Sequence, residues 1–156
     1  MGSEMCIRDS INRSEDIKQE LRKLKLIVTE RSSKHKLSDD CDVYIVNTYG
    51  EMSKFLRLSN VTFIGGSLVN HGGQNPLEAV RMGNYVMHGK KVNNFKEIYK
   101  ELKSLKISSE IKNIDQMEKV FVKNHNYKIQ NSKLNKINYL GAKIFENNIK
   151  EIKNYL

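Results

Sequence analysis

Short runs of apolar, largely β-branched residues recur along this 156-residue chain, at Leu26–Thr29, Val43–Val46, Val61–Ile64 and Tyr85–Met87. Each has strand length and is apolar almost throughout, as expected of strands buried on both faces. The segments between them carry a different period. Ile17, Leu21 and Leu24 recur at helical spacing, so 13–24 reads as a helix. Met52, Phe55 and Leu56 mark a short helix, and Phe95, Ile98, Tyr99 and Leu102 set a longer one over 94–103. Residues near Ile107–Ile111 predict a last edge strand. Asn113 is placed to cap a helix carrying Ile114, Met117, Val120 and Phe121. Leu134, Ile137, Ile144, Ile149 and Ile152 predict a long amphipathic C-terminal helix. Strands alternating with helices predict an α/β fold, with a parallel sheet covered on both faces.

Ligands in such sheets bind beyond the carboxyl ends of the strands. The stretch just after an apolar run is therefore the place to look for a site. After Val61–Ile64 comes a segment in which glycine is concentrated. Six of the nine glycines lie from Gly65 to Gly89, and Pro76 is the only proline. Asn75-Pro76 ahead of Leu77 and Val80 reads as a helix start, because proline suits the first helical position. A glycine-rich loop feeding a helix N-terminus offers free backbone N–H groups and the positive end of a helix dipole. An anion such as a nucleotide phosphate fits there, with Ser67 and His71 as side-chain donors. Each residue also has a plainer reading. The glycines serve tight turns, Asn75-x-x-Glu78 has the spacing of a capping box, and His71 is a solvated histidine. A second motif, Asn47-Thr48-Tyr49-Gly50-Glu51, comes directly after Val43–Val46. Either Thr48-x-x-Glu51 caps a helix, or the backbone at Tyr49-Gly50 meets a base or phosphate with Glu51 assisting.

The chain carries 27 Lys and Arg against 18 Asp and Glu, a formal net charge of +9. That balance suits nucleic acid, an anionic membrane surface or a phosphorylated substrate. A lysine, asparagine and isoleucine bias also arises from AT-rich coding alone. Clustered arginines and an aromatic RNA-binding signature are both missing, which argues against a nucleic-acid module. Cys6 and Cys41 have neither metal-ligand spacing nor a disulfide framework, which points to a reducing compartment. No apolar run approaches the roughly 18 residues that span a bilayer. Residues 1–10 lack an apolar segment and periodicity. They read as a non-native or artefactual stretch and are set apart from the fold.

The ordered motifs resemble the 3-deoxy-D-manno-octulosonic acid (Kdo) transferase family of GT-B glycosyltransferases. That family pairs a phenylalanine-valine strand with Gly-Gly-Ser-Leu, then Gly-Gly-His-Asn-x-x-Glu, then a Gly-Pro-x-x-x-Asn-Phe segment. Here these correspond to Phe63–Leu68, Gly72–Glu78 and Gly89–Phe95. Upstream, Asn47–Met52 is similar to the family's Asp-Thr-x-Gly-Glu-Leu. The resemblance runs from about residue 11 onward. Asn47 replaces the usual Asp, Gln74 the usual His, and Lys90 a common proline. The family's donor-contacting Pro-Arg-His segment has no match, because residues 1–10 stand where it would lie.

The resemblance implies the Rossmann-like, C-terminal half of a two-domain enzyme. Residues 11–125 would be the nucleotide-sugar-binding domain, and 126–156 a C-terminal helix that helps bridge the two halves. In that family this half binds CMP-Kdo. The absent N-terminal domain binds the lipid A precursor and holds the carboxylate base for an inverting transfer in lipopolysaccharide biosynthesis. Gly66, Ser67, Gly72 and Gly73 would shape the phosphate and Kdo side. Asn75, Pro76, Leu77 and Glu78 would contact CMP, with Glu78 accepting from the ribose hydroxyls. Tyr49, Gly50 and Glu51 would flank the cytidine. No metal or other cofactor is expected, no catalytic residue is assigned, and this chain alone is expected not to turn over. The resemblance places such an enzyme at the cytoplasmic face of the bacterial inner membrane, against anionic lipid. The alternatives are a UDP- or GDP-sugar transferase domain of the same fold, or a non-catalytic basic binding module.

Overall fold

A computed structural model describes residues 5–8, 13–33 and 39–154. The chain divides into two compact units, residues 1–55 and 56–156. In the first unit β1 (Met5–Arg8), β3 (Val43–Val46) and β2 (Val28–Glu30) form a three-stranded sheet in that order, with α1 (Ser14–Lys23) between β1 and β2 in sequence. In the second, β4 (Val61–Ile64), β5 (Tyr85–His88) and β6 (Ser108–Glu110) form another three-stranded sheet in that order. All four strand pairings are parallel, as the alternation of strands and helices predicts. Helix α2 (Met52–Leu58) spans the division.

Burial depends on position in each sheet. The central strands are the dry ones: all of β5 is buried, as are Val43, Ile45 and Val46 of β3. The edge strand β4 is half-buried along its length, although its sequence is as apolar as that of β3. Among the described residues, sequence reading places β2 two residues early, because Leu26 and Ile27 precede the paired segment Val28–Glu30. Met5–Arg8, set apart on sequence grounds, runs parallel to β3 from Met5 opposite Val43 to Arg8 opposite Val46. Residues 1–4 and 9–12 of that stretch and its junction lie outside the described residues, as do 34–38 of the polar loop and 155–156 of the C-terminal segment.

The second unit is closed by α3 (Leu77–Arg81), α4 (Lys96–Ser104), α5 (Ile114–Asn124) and α6 (Asn131–Asn154). Asn113 caps α5, accepting from the Gln116 N–H at 2.9 Å. Its core is fixed by Val80, Val86, Leu102, Ile107 and Ile137, none of which has exposed surface. Asn84 is also fully buried, and its amide is satisfied at both ends. It accepts from Thr62 Oγ1 and donates to the Leu56 carbonyl, each at 2.6 Å, so its burial carries no unpaired polar group. Along α6, Ile137 reaches this core while Tyr139, Phe145 and Ile152 stand exposed. Among the described residues, no helix is long and apolar enough to cross a membrane.

Candidate functional site

The glycine-rich loop runs from the carboxyl end of β4 to the start of α3. Gly66, Gly72 and Gly73 all take positive φ, between 71° and 75°, a region that residues with a β-carbon rarely adopt. Close approach reinforces that choice. A Cβ on Gly72 would fall 2.6 Å from the Asn94 side chain, and one on Gly73 would fall 3.2 Å from the Lys91 carbonyl. The loop is thus laid against a second loop after β5. Lys91 N donates to the Ser67 carbonyl at 2.7 Å, and Asn94 N to the Gly72 carbonyl at 3.1 Å. Tyr99, buried on α4, donates its hydroxyl to the Gln74 carbonyl at 2.9 Å. Gly89 is the point of closest contact, since a Cβ there would lie 2.4 Å from the Ser67 carbonyl oxygen. Sequence reading passes over Lys91, Asn94 and Tyr99 as fasteners, because their partners are distant in the chain.

Ser67 has a different place from the one its sequence offers. It is fully buried, donating to the Ile64 carbonyl at 2.5 Å and accepting from Gly89 N–H at 2.8 Å. A hydroxyl carries one proton, so Ser67 shapes the loop and has no donor left for a ligand. Pro76 and Leu77 are buried as core residues and present only backbone. Asn75 Oδ1 accepts from Leu77 N–H at 3.0 Å. The capping-box alternative is absent: the N-cap is Pro76, with no side-chain cap bond, and Glu78 stands exposed. Helix α3 has only five residues, so its dipole is small. Among the described residues, the N–H groups of Gly72, Gln74, Asn75, Glu78 and Ala79 take no hydrogen-bond partner. His71 and Gln74 are exposed on the same loop.

In the first unit, the segment after β3 is tied down by side chains. Asn47 accepts from Ser32 N–H at 3.0 Å and donates to Ser32 Oγ at 2.7 Å and Glu30 Oε1 at 3.3 Å. Gly50 has φ 76°, and Tyr49 is 80% exposed at the tip of the turn. Glu51 is held by Arg31, Thr48 and Lys54. Arg31, read from sequence only as the first residue of a polar loop, is the partner that sequence reasoning missed. Its position one residue beyond the carboxyl end of a parallel strand is the signal that was available. Two open concavities, of 310 and 400 Å³, lie along α5 and involve none of these residues. They are lined mainly by lysine, serine and glutamate side chains.

No protein-family model matches the chain. Individual relatives do. It is 37% identical over 82 residues to a 3-deoxy-D-manno-octulosonic acid transferase of Haemophilus influenzae, covering 53% of this chain and 19% of that protein. It is 32% identical over 114 residues to the transferase of the same description in Rickettsia bellii, covering 73% of this chain and 22% of the relative. A crystal structure of the C-terminal CMP-Kdo binding domain of WaaA from Acinetobacter baumannii aligns with a TM-score of 0.68 at 26% identity, over 72% of this chain and 58% of that one. This chain belongs to the Kdo transferase family. Its parallel α/β architecture is that of the family's Rossmann-like C-terminal domain. The chain spans about a fifth of the length of each of these two transferases.

Proposed function

We propose that this chain is the donor-binding part of a glycosyltransferase that moves Kdo from CMP-Kdo to a lipid A precursor. The observation that carries the reading is the Gly65–Glu78 loop. Three left-handed glycines fold it onto its neighbour and leave the N–H groups of Gly72, Gln74, Asn75 and Glu78 unpartnered, with the Glu78 side chain exposed. Oriented amides neutralise a phosphate without a metal and without reorganisation during the reaction. Glu78, free of any capping duty, is the acceptor for ribose hydroxyls. Asn75, engaged with Leu77 N–H through its oxygen, has an amide NH₂ left to donate. Pro76 and Leu77 act by holding the backbone in place. The relatives' description supports the reaction and the structural relative's description supports the donor. The acceptor hydroxyl and its general base would belong to the N-terminal half of the enzyme. Work at the cytoplasmic face of an anionic membrane fits a chain of net charge +9.

The test is calorimetry with CMP, UMP and GMP. CMP is expected to bind most tightly. Glu78→Ala is expected to weaken CMP by about tenfold, the loss of a charged hydrogen bond, while leaving the melting temperature unchanged. Tighter binding of UMP or GMP would move the chain to a different donor class, and no nucleotide binding would defeat the proposal.

A further inference from the structure

The Glu51 carboxylate, which the motif offers to a ligand, is already saturated. Arg31 Nε donates to Oε2 at 3.0 Å and Arg31 Nη2 to Oε1 at 2.9 Å, a two-pronged pair. Thr48 Oγ1 adds a bond to Oε2 at 2.7 Å and Lys54 Nζ one to Oε1 at 3.2 Å. A carboxylate has about four lone-pair sites, so these four donors leave none for a ribose hydroxyl or a base edge. The partners also have a geometric logic. Arg31 is anchored by its own N–H to the Ile45 carbonyl at 2.8 Å, so it extends the β2–β3 pairing. Thr48 and Glu51 stand on either side of Tyr49-Gly50, and the latter pair supplies only an exposed ring and a left-handed glycine. The pair across residues 31 and 51 closes this turn onto the end of the sheet.

We propose that Glu51 is a positioning residue that acts through Arg31 and Thr48 to hold the Tyr49-Gly50 turn, and that its carboxylate does not itself touch the nucleotide. The inference rests on the donor-binding reading above. Hydrogen bonds from Arg31, then Thr48 and Lys54, hold the Glu51 carboxyl far below the usual carboxylate range, so the clasp stays charged at any working pH.

Four proteins decide the matter by CMP calorimetry and thermal melting: Arg31→Ala, Glu51→Gln, their double variant, and the charge swap Arg31→Glu with Glu51→Arg. Each single change is expected to weaken CMP by between about threefold and a hundredfold, the span for residues coupled in one network. The double variant is expected to bind no worse than the weaker single, and the swap to recover part of the loss. Losses that add in the double variant, or a swap that recovers nothing, would overturn the proposal. Either result would mean that Glu51 acts without its partner. Should Arg31→Ala melt below assay temperature, Arg31→Lys takes its place, since it keeps the charge and loses the two-pronged geometry. If the unaltered chain binds no CMP, the donor reading fails separately. The clasp is then read from amide exchange at Tyr49 and Gly50. Exchange is expected to quicken in Arg31→Ala, and unchanged exchange would overturn it.

Discussion

Replacing Ser67 with alanine separates the two roles its motif allows. The side chain has no exposed surface, and its oxygen joins two backbone groups that lie far apart in the chain, Ile64 at the end of β4 and Gly89, 22 residues beyond Ser67, on the loop after β5. Alanine fits the space but leaves the buried Gly89 N–H without a partner, at a cost of about 1–3 kcal/mol, and the Ile64 carbonyl loses a bond of about 1 kcal/mol. The sum is roughly 2–4 kcal/mol, a large share of the about 5–15 kcal/mol that holds a domain folded. At about 4–8 °C per kcal/mol for a unit near one hundred residues, the melting temperature should fall by roughly 8–32 °C. Differential scanning calorimetry reads this directly. CMP affinity, measured well below the transition, should fall much less than stability does. An unchanged melting temperature with CMP binding abolished would refute the reasoning, because the hydroxyl would then be a ligand contact and not a loop strut.

Other perturbations test neighbouring parts. Burial holds His88 below its ordinary value of 6.5, so the folded state favours the neutral ring. The unfolded chain then binds more protons, and stability falls as pH drops below about 6.5, levelling off once the folded pKa is passed. Melting temperatures from pH 7.5 to 5.5 should show this decline, with a shallower slope in His88→Gln. Asn47→Asp, which restores the family's usual residue, removes the donor to Glu30 Oε1 and sets a second carboxylate 3.3 Å away. It should cost about 1–3 kcal/mol by urea denaturation, and an equal or higher midpoint would contradict the role assigned to the Asn47 amide. Gly141→Ala in α6 would bring a Cβ within 1.9 Å of Arg81 Nη2, the far end of an exposed, flexible side chain. Arg81 should swing aside and the helix gain about 1 kcal/mol from the better helix former. A net loss above about 1 kcal/mol would mean that Arg81 is fixed.

Much of the architecture was legible in the residues because its determinants are local. Apolar runs of four at Val43–Val46 and Val61–Ile64, with helical periods between them, need only near neighbours to declare strand or helix. The Asn113 cap likewise reaches only three residues along the chain. The family's motif order could be read for the same reason, since Gly65–Glu78 and Gly89–Phe95 are contiguous strings. Local pattern failed where burial depended on sheet position. β4 is as apolar as β5 yet half-buried, because it is the edge of its sheet and β5 the centre.

The sequence by itself determined the parallel α/β class, the position of the glycine loop after a strand, and which residue types could meet a nucleotide. Only the tertiary structure decided which of those residues are free to do so. Ser67 is consumed by Gly89 and Glu51 by Arg31, partners 22 and 20 residues away, while Glu78 is left exposed. A hydroxyl has one proton and a carboxylate a handful of lone pairs. Their chemistry is therefore assigned by whichever distant groups the fold brings within hydrogen-bonding distance, and spacing along the chain does not encode that.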